Sequence, residues 1–142
     1  MKKGKDYIGV GVGAMIFDDR GRVLLARRGQ KAKNERGCWD LPGGGVDFNE
    51  KRSDAIIREV KEEMGIDIDV VAEMQTIDHL IEDEGQHWIT TTFIARVKDG
   101  QQPKIMEPEK CDGLDWFDLE ALPSPLAIST TLNLGSYIER SV

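Results

Sequence analysis

The sequence predicts an α/β (α+β) sandwich in which helices cover a mixed β-sheet. Strand-like runs of β-branched residues lie on both sides of one amphipathic helical segment, and a second helical segment lies near the C terminus. Turn residues separate these segments. The range 1–142 is expected to form a single domain, because a chain of 142 residues can bury one core without disulfides or a structural metal.

The charge balance limits the partners that the chain is expected to have. There are 26 acidic and 19 basic residues, giving a formal net charge of −7. This charge argues against attraction to a nucleic acid polymer or to an anionic membrane. Cys38 and Cys111 form no CxxC pair, and no apolar run approaches the roughly 18 residues of a membrane helix. We therefore expect a soluble, cytoplasmic protein.

The first predicted strand, residues 7–17, has glycine at every second position. Gly9, Gly11 and Gly13 leave one face of this strand bare. One interpretation is that another backbone or a flat ligand approaches this face closely. The other is that a helix packs tightly against it. A turn at 18–21 predicts that residues 23–26 return as the second strand of a hairpin.

The next stretch is rich in polar and conformation-breaking residues. Residues 27–37 are basic and predict an exposed loop, which leads into a short apolar element at 38–41. The four breakers that follow, residues 42–45, are expected to end any regular structure.

A helix is predicted over residues 50–64. Asn49 is assigned as its N-cap, and Gly65 stands where a left-handed glycine commonly ends a helix. The apolar residues at helical spacing are Ala55, Ile56, Val60 and Met64.

Further strands and a second helix are predicted after this helix. Residues 66–81 have strand character, residues 82–85 form a turn, and residues 87–97 form a long strand that pairs with its predecessor. A short strand at 114–117 and a helix at 129–139 complete the pattern.

Three carboxylates are predicted to share one face of the first helix. Glu59, Glu62 and Glu63 are spaced i, i+3, i+4, near a helix C terminus where the dipole disfavours anions by roughly 0.3 to 1 kcal/mol each. Lys61 is the basic residue among their close neighbours. A solvated acidic face is one explanation of this cluster, and a bound cation is the other.

The surrounding residues resemble the signature of the Nudix hydrolases. All nine fixed positions of the Nudix box are present at the family spacing: Gly44, Glu50, Arg58, Glu59, Val60, Glu62, Glu63, Gly65 and Ile66. The similarity extends from the glycine-rich first strand to residues 107–111 and 116–117. Asn49 replaces the glycine that many members have before the first glutamate, and asparagine tolerates the left-handed backbone better than most residues.

The resemblance implies the Nudix α/β/α fold and a hydrolase that cleaves diphosphate linkages in nucleoside diphosphate derivatives. Hard divalent cations, Mg²⁺ with Mn²⁺ as a substitute, would bridge carboxylates and phosphates. By resemblance, Glu59 and Glu63 are the principal metal ligands, the Gly44 carbonyl joins them, and Glu62 either adds a ligand or positions water. A small-molecule nucleotide is the implied partner, and family members are often homodimers.

Other residues receive supporting roles from the same resemblance. Glu50 and Arg58 are expected to orient the carboxylates by ion pairing. Glu109, with Glu107 beside it, is the best candidate for a general base outside the box; its alternative is an ordinary loop acid.

Substrate contacts are harder to assign from sequence. Arg27 and Arg28 end the second strand beside a basic loop, and a forked guanidinium suits phosphate oxygens. Trp39, Trp88 and Trp116 are expected to lie in or beside the core, and none is singled out as a platform for a nucleobase.

The branch of the family is predicted from the same residues. They look most similar to the MutT-type branch, which converts ordinary or oxidised nucleoside triphosphates to monophosphate and pyrophosphate. ADP-ribose or another nucleoside diphosphate conjugate is the alternative, disfavoured by the lack of proline between Ile66 and Gln102. A coenzyme A substrate ranks lower because Ala26 and Lys33 stand where that branch has Thr and Arg. A non-catalytic nucleotide-binding module is the remaining reading.

Overall fold

A computed structural model describes residues 1–141 of the chain. Within that range, seven strands form one mixed sheet between two helices. The strands are β1 (Gly9–Phe17), β2 (Val23–Arg28), β3 (Trp39–Asp40), β4 (Gly43–Gly45), β5 (Ile68–Ile81), β6 (Gln86–Val97) and β7 (Cys111–Phe117), and the helices are α1 (Arg52–Met64) and α2 (Ile128–Arg140). The predicted α/β (α+β) sandwich is confirmed. Neither helix is long and apolar enough to cross a bilayer.

Strand β1 lies at the centre of the sheet. It pairs in parallel with β6 from Gly9 opposite Trp88 to Phe17 opposite Arg96, and antiparallel with β2 and β4. The predicted β1–β2 hairpin is confirmed, and Gly21 adopts the left-handed conformation in its turn. The glycine-bearing half of β1 is therefore flanked by β6 on one side and β4 on the other.

Side chains of β1 alternate between two cores, one on each face of the sheet. Val12, Ala14 and Ile16 pack with α1, whereas Met15 and Phe17 belong to the cluster beneath α2. All four predicted apolar positions of α1 are buried. Periodicity thus correctly predicted which face of α1 contacts the sheet.

The start of α1 differs from the prediction. The helix begins at Arg52 with Lys51 as its N-cap, so Asn49 is not the cap. Asn49 instead has φ = +68°, and this left-handed turn lets Glu50 accept a hydrogen bond from the Asp47 N–H at 3.1 Å. The tolerance of asparagine for this conformation is what the loop uses. Gly65 ends the helix at φ = +67°, as predicted.

The glycine run was wrongly predicted to lack regular structure. Gly43–Gly45 forms β4, with Gly43 opposite Gly13 and Gly45 opposite Gly11. A Cβ atom at Gly43 would clash with the Val12 carbonyl, so the two backbones approach too closely for side chains. The small size of glycine, rather than its flexibility, decides the structure here.

The remaining elements follow the predictions with shifted ends. Arg27 and Arg28 belong to β2, so the basic loop begins at Gly29. Strand β5 begins at Ile68 and carries two bulges along its pairing with β6. A single 3₁₀ turn connects these strands, and β7 starts three residues earlier than predicted.

Candidate active site

A cleft of about 1170 Å³ opens beside the C-terminal end of β2, the N-terminal ends of β6 and β7, and the C-terminal half of α1. Its wall carries carboxylates from α1, β3, the β5–β6 turn and the loop before β7. It also carries basic side chains from the N-terminal segment, β2 and the loops that follow β2 and precede β7. The acidic residues are Asp40, Glu59, Glu62, Glu63, Glu84 and Glu107; the basic residues are Lys2, Lys3, Lys5, Arg27, Arg28, Lys31, Lys33 and Lys110. Basic side chains therefore outnumber acidic ones in the cleft, although the net charge of the whole chain is negative.

Arg58 connects the helix to the loop before it. Its guanidinium donates to both oxygens of Glu50, at 2.8 and 2.9 Å, and to the Gly45 carbonyl at 3.0 Å. It also donates to Glu59 at 3.0 Å and to Glu62 at 3.3 Å. The Arg58 hydrogen bonds lower the pKa of Glu50 to about 2. Arg58 thus pairs with both Glu50 and Glu59, and the roles of Glu50 and Arg58 in orienting the carboxylates stay predictions.

Glu59 lies directly against the glycine strand. A Cβ atom at Gly44 would clash with all three atoms of the Glu59 carboxylate group. Burial raises the pKa of Glu59, while the hydrogen bond from Arg58 lowers it. Gly44 therefore has a steric reason to be glycine, since any side chain would displace this carboxylate.

Glu63, one turn further along α1, is largely enclosed by protein. Burial raises the pKa of Glu63 well above its ordinary value, and the negative charges of Glu59 and Glu107 raise it further. Burial and neighbouring negative charges disfavour the ionised carboxylate, and a bound cation would stabilise it. Glu62, in contrast, is exposed on the rim of the cleft.

In the loop between β6 and β7, Glu107 is the acidic residue that lines the cleft. The loop carrying it is tied to the end of α1, because Lys104 N–H donates to the Met64 carbonyl at 3.0 Å and Met106 N–H donates to the Glu63 carbonyl at 3.2 Å. Glu109, predicted as the general-base candidate, is exposed and is not among the residues that line the cleft. The acid in the cleft is therefore Glu107, two positions before the predicted Glu109.

Asp40 is a cleft residue that the sequence analysis did not single out. It is half-buried, and Thr130 Oγ1 of α2 donates to its Oδ1 at 2.5 Å. Burial raises the pKa of Asp40, and its charge contributes to the raised pKa of Glu63. Its place beside three apolar residues in the 38–41 element was the only available signal.

The two arginines predicted to bind substrate both line the cleft, but each has a protein partner. Arg27 Nε donates to Asp112 at 2.7 Å, and its guanidinium lies 5.5 Å from the Trp39 ring centre. Arg28 donates to the backbone and side chain of Asn34, at 2.8 and 2.7 Å. Their phosphate-binding role stays a prediction.

The donor set suits a hard divalent cation. No three His, Cys, Asp or Glu side chains of residues 1–141 converge closely enough to enclose an ion on their own. Mg²⁺ commonly takes only one or two carboxylates and completes its shell with water and substrate phosphates. The crowded pair Glu59 and Glu63, with Gly44 adjoining, offers such a partial shell.

The N-terminal segment forms one side of the cleft. Lys3 Nζ donates to the Val46 carbonyl at 2.7 Å and lies 3.5 Å from Asp47, so it contacts the loop that follows β4. The His87 N–H donates to the Gly4 carbonyl at 2.7 Å, which fixes the segment beside β6. Residues before the first strand are thus part of the site.

The sequence profile of the NUDIX domain matches residues 8–133. Among solved structures, a MutT NUDIX hydrolase from Burkholderia pseudomallei superimposes with a TM-score of 0.84 at 37% identity, covering 92% of this chain and 98% of that one.

Named relatives differ in their substrates. The RNA pyrophosphohydrolase of Gluconacetobacter diazotrophicus is 31% identical, over 79% of this chain and 78% of the relative. The 8-oxo-dGDP phosphatase NUDT18 of Homo sapiens is 33% identical over 85% of this chain, which spans 36% of that relative's length. The first name gives RNA as the substrate, and the second gives 8-oxo-dGDP.

Proposed function

Because the chain belongs to the NUDIX family and is a MutT-like hydrolase of pyrophosphate bonds, we propose that it converts nucleoside triphosphates to monophosphates and pyrophosphate. Ordinary or oxidised ribo- and deoxyribonucleotides are the substrate class. The observation that carries this proposal is the placement of Glu59 and Glu63, two carboxylates with raised pKa values, in a nucleotide-sized cleft rimmed by lysines and arginines.

The residues divide between chemistry and positioning. Glu59 and Glu63, with the Gly44 carbonyl, would hold Mg²⁺ or Mn²⁺, which polarises phosphoryl oxygens and acidifies water when bound. Arg58 fixes the Glu59 carboxylate and ties it to Glu50. Glu107 is the carboxylate best placed to orient the attacking water, and Glu62 supplies a further oxygen at the rim.

The basic side chains that line the cleft supply the positive charge that its carboxylates lack. A triphosphate carries several negative charges, and the carboxylates alone would repel it. Lys31, Lys33 and Lys110 lie at the mouth of the cleft and can neutralise phosphates that extend away from the scissile bond. Cleavage breaks one P–O–P bridge as water adds to phosphorus.

Product analysis tests this proposal. Purified protein with Mg²⁺ is incubated with ordinary and oxidised nucleoside triphosphates, nucleoside diphosphates, ADP-ribose, coenzyme A and 5′-triphosphorylated RNA, and the products are separated by ion exchange. Monophosphate plus pyrophosphate from a free triphosphate supports the proposal. Exclusive turnover of a conjugate or of RNA contradicts the substrate class, and inertness with both Mg²⁺ and Mn²⁺ favours a binding module.

A further inference from the structure

Trp88 lies flat over a floor of glycines at the edge of the cleft. A Cβ atom at Gly4 or Gly9 would clash with its indole, and ideal Cβ positions at Gly11 and Gly45 lie 3.6 and 3.9 Å from the ring. Gly9 and Gly11 are two residues apart in β1, so their missing side chains belong to the same face of the sheet. Gly9 and Gly11 therefore leave space on that face of the sheet, and the indole fills it.

The indole also borders the cleft. Trp88 is only half-buried and lines the same cavity as the carboxylates of α1. Gly45, under the ring, follows Gly44, against which Glu59 packs. The indole is thus beside the strand that adjoins the proposed metal ligands.

Neither of the other two tryptophans has this placement. Trp39 packs edge-on against Phe117 and lies beneath the Arg27 guanidinium. Trp116 packs against the core cluster under α1. Neither borders the cleft.

Polar groups fix the edge of the Trp88 ring. Its Nε1 donates to Gln86 Oε1 at 2.9 Å, and Glu84 accepts from the side-chain amides of Gln86 and Asn34 at 3.3 and 3.0 Å. Arg28 in turn donates to Asn34. Hydrogen bonds therefore connect the basic loop, the β5–β6 turn and the indole along one wall of the cleft.

We propose that the half-buried indole of Trp88 stacks on the nucleobase of the substrate, with Asn34, Glu84 and Gln86 bordering the base edge. This assignment rests on the proposed function, because it requires a nucleotide in the cleft. Every base has a π-face, so stacking gives affinity for nucleotides in general. The amide and carboxylate groups at the edge supply donors and acceptors that can discriminate among bases.

Equilibrium binding by calorimetry tests the stacking directly, without requiring turnover. The four common nucleoside monophosphates are compared with ribose 5-phosphate, which lacks a base, on wild type and on the Trp88→Leu and Trp116→Phe variants. We expect Trp88→Leu to weaken nucleotide binding about 5- to 100-fold and to leave ribose 5-phosphate unchanged. Trp116→Phe should match wild type. Equal affinity of wild type for ligands with and without a base, or unchanged binding in Trp88→Leu, overturns the proposal.

Tryptophan fluorescence gives a second readout that does not need the leucine variant to fold. A stacked base should quench part of the emission of wild type and of Trp116→Phe, and the quenching should vanish in Trp88→Phe. Quenching that persists in Trp88→Phe contradicts the assignment. Base-dependent binding without turnover of any triphosphate would sink the proposed function alone, whereas turnover with a base-independent affinity would sink only the role of Trp88.

Discussion

The carboxylate of Glu59 occupies the space that a side chain at Gly44 would need. Helix α1 and strand β4 therefore pack together where the Glu59 carboxylate lies against Gly44, which has no side chain. The position of Glu59, a proposed metal ligand, therefore depends on the absence of a Cβ atom at Gly44, eight residues before α1 begins.

Gly44→Ala should separate activity from folding. The added methyl group displaces the Glu59 carboxylate, and misplacement of a reacting group by about 1 Å can cost on the order of 100-fold in rate. We expect a comparable fall in kcat, measured by steady-state pyrophosphate release. Gly13→Ala is the matched control, because its Cβ would lie 3.7 Å from the Pro42 carbonyl oxygen, an ordinary contact. Equal activity of the two variants would contradict the steric argument.

Glu63→Gln should reduce catalysis without reducing the stability of the metal-free protein. Its raised pKa means that the ionised carboxylate disfavours the folded state at neutral pH, and glutamine removes that charge at nearly constant volume. We expect kcat to fall at least about 100-fold and Tm in EDTA to stay equal or rise. Thermal melts and kinetics of the same preparation measure both. A folded variant with wild-type turnover would refute the site assignment.

Glu107→Gln and Glu109→Gln distinguish the two acids of the loop. Since Glu107 lines the cleft and raises the pKa of Glu63, its loss should lower kcat by about 10- to 100-fold. Glu109 is exposed, so its variant should remain near wild type. The reverse ranking in parallel assays would restore Glu109 as the functional carboxylate.

Glu50→Gln should lower stability in a pH-dependent way. The pKa of Glu50 is lowered from its ordinary 4.5 to about 2 in the folded protein, chiefly by Arg58. A lowered pKa adds stability that is fully present above the unfolded value and is lost as pH falls toward 2. Urea denaturation of metal-free protein should give a constant difference between wild type and variant above about pH 5, and this difference should shrink between pH 4.5 and 2. A difference that is independent of pH would exclude the ion pair as its source.

Local patterns predicted the elements whose residues respond to their nearest neighbours in sequence. The buried face of α1 follows from a period of 3.6 residues, and its end at Gly65 follows from the left-handed preference of glycine. The box carboxylates were found because their spacing is a motif. The start of α1 was missed because Asn49 can serve either as a cap or as a left-handed turn residue, and only Arg58 decides between them by binding Glu50.

Long-range packing determined what the patterns could not. Gly43–Gly45 reads as a breaker, yet it forms a strand because β1 offers glycines opposite it. The bare face of β1 was expected to meet a ligand or a helix, and it meets the indole of Trp88, 79 residues after Gly9. Two backbone hydrogen bonds from the loop to the end of α1 hold Glu107, and not Glu109, in the cleft. None of these partners is adjacent in sequence.

The tie between the Glu63 carbonyl and Met106 also has a use in protein engineering. This hydrogen bond holds the residue just before Glu107, in the later part of the connection between β6 and β7. The number of residues before Lys104 therefore does not determine where Glu107 lies. Gly100 lies at an exposed turn with open space around it. Added length in a surface loop costs little closure entropy, about 0.6 kcal/mol per doubling. A peptide tag or fluorescent reporter inserted at Gly100 should therefore leave turnover intact.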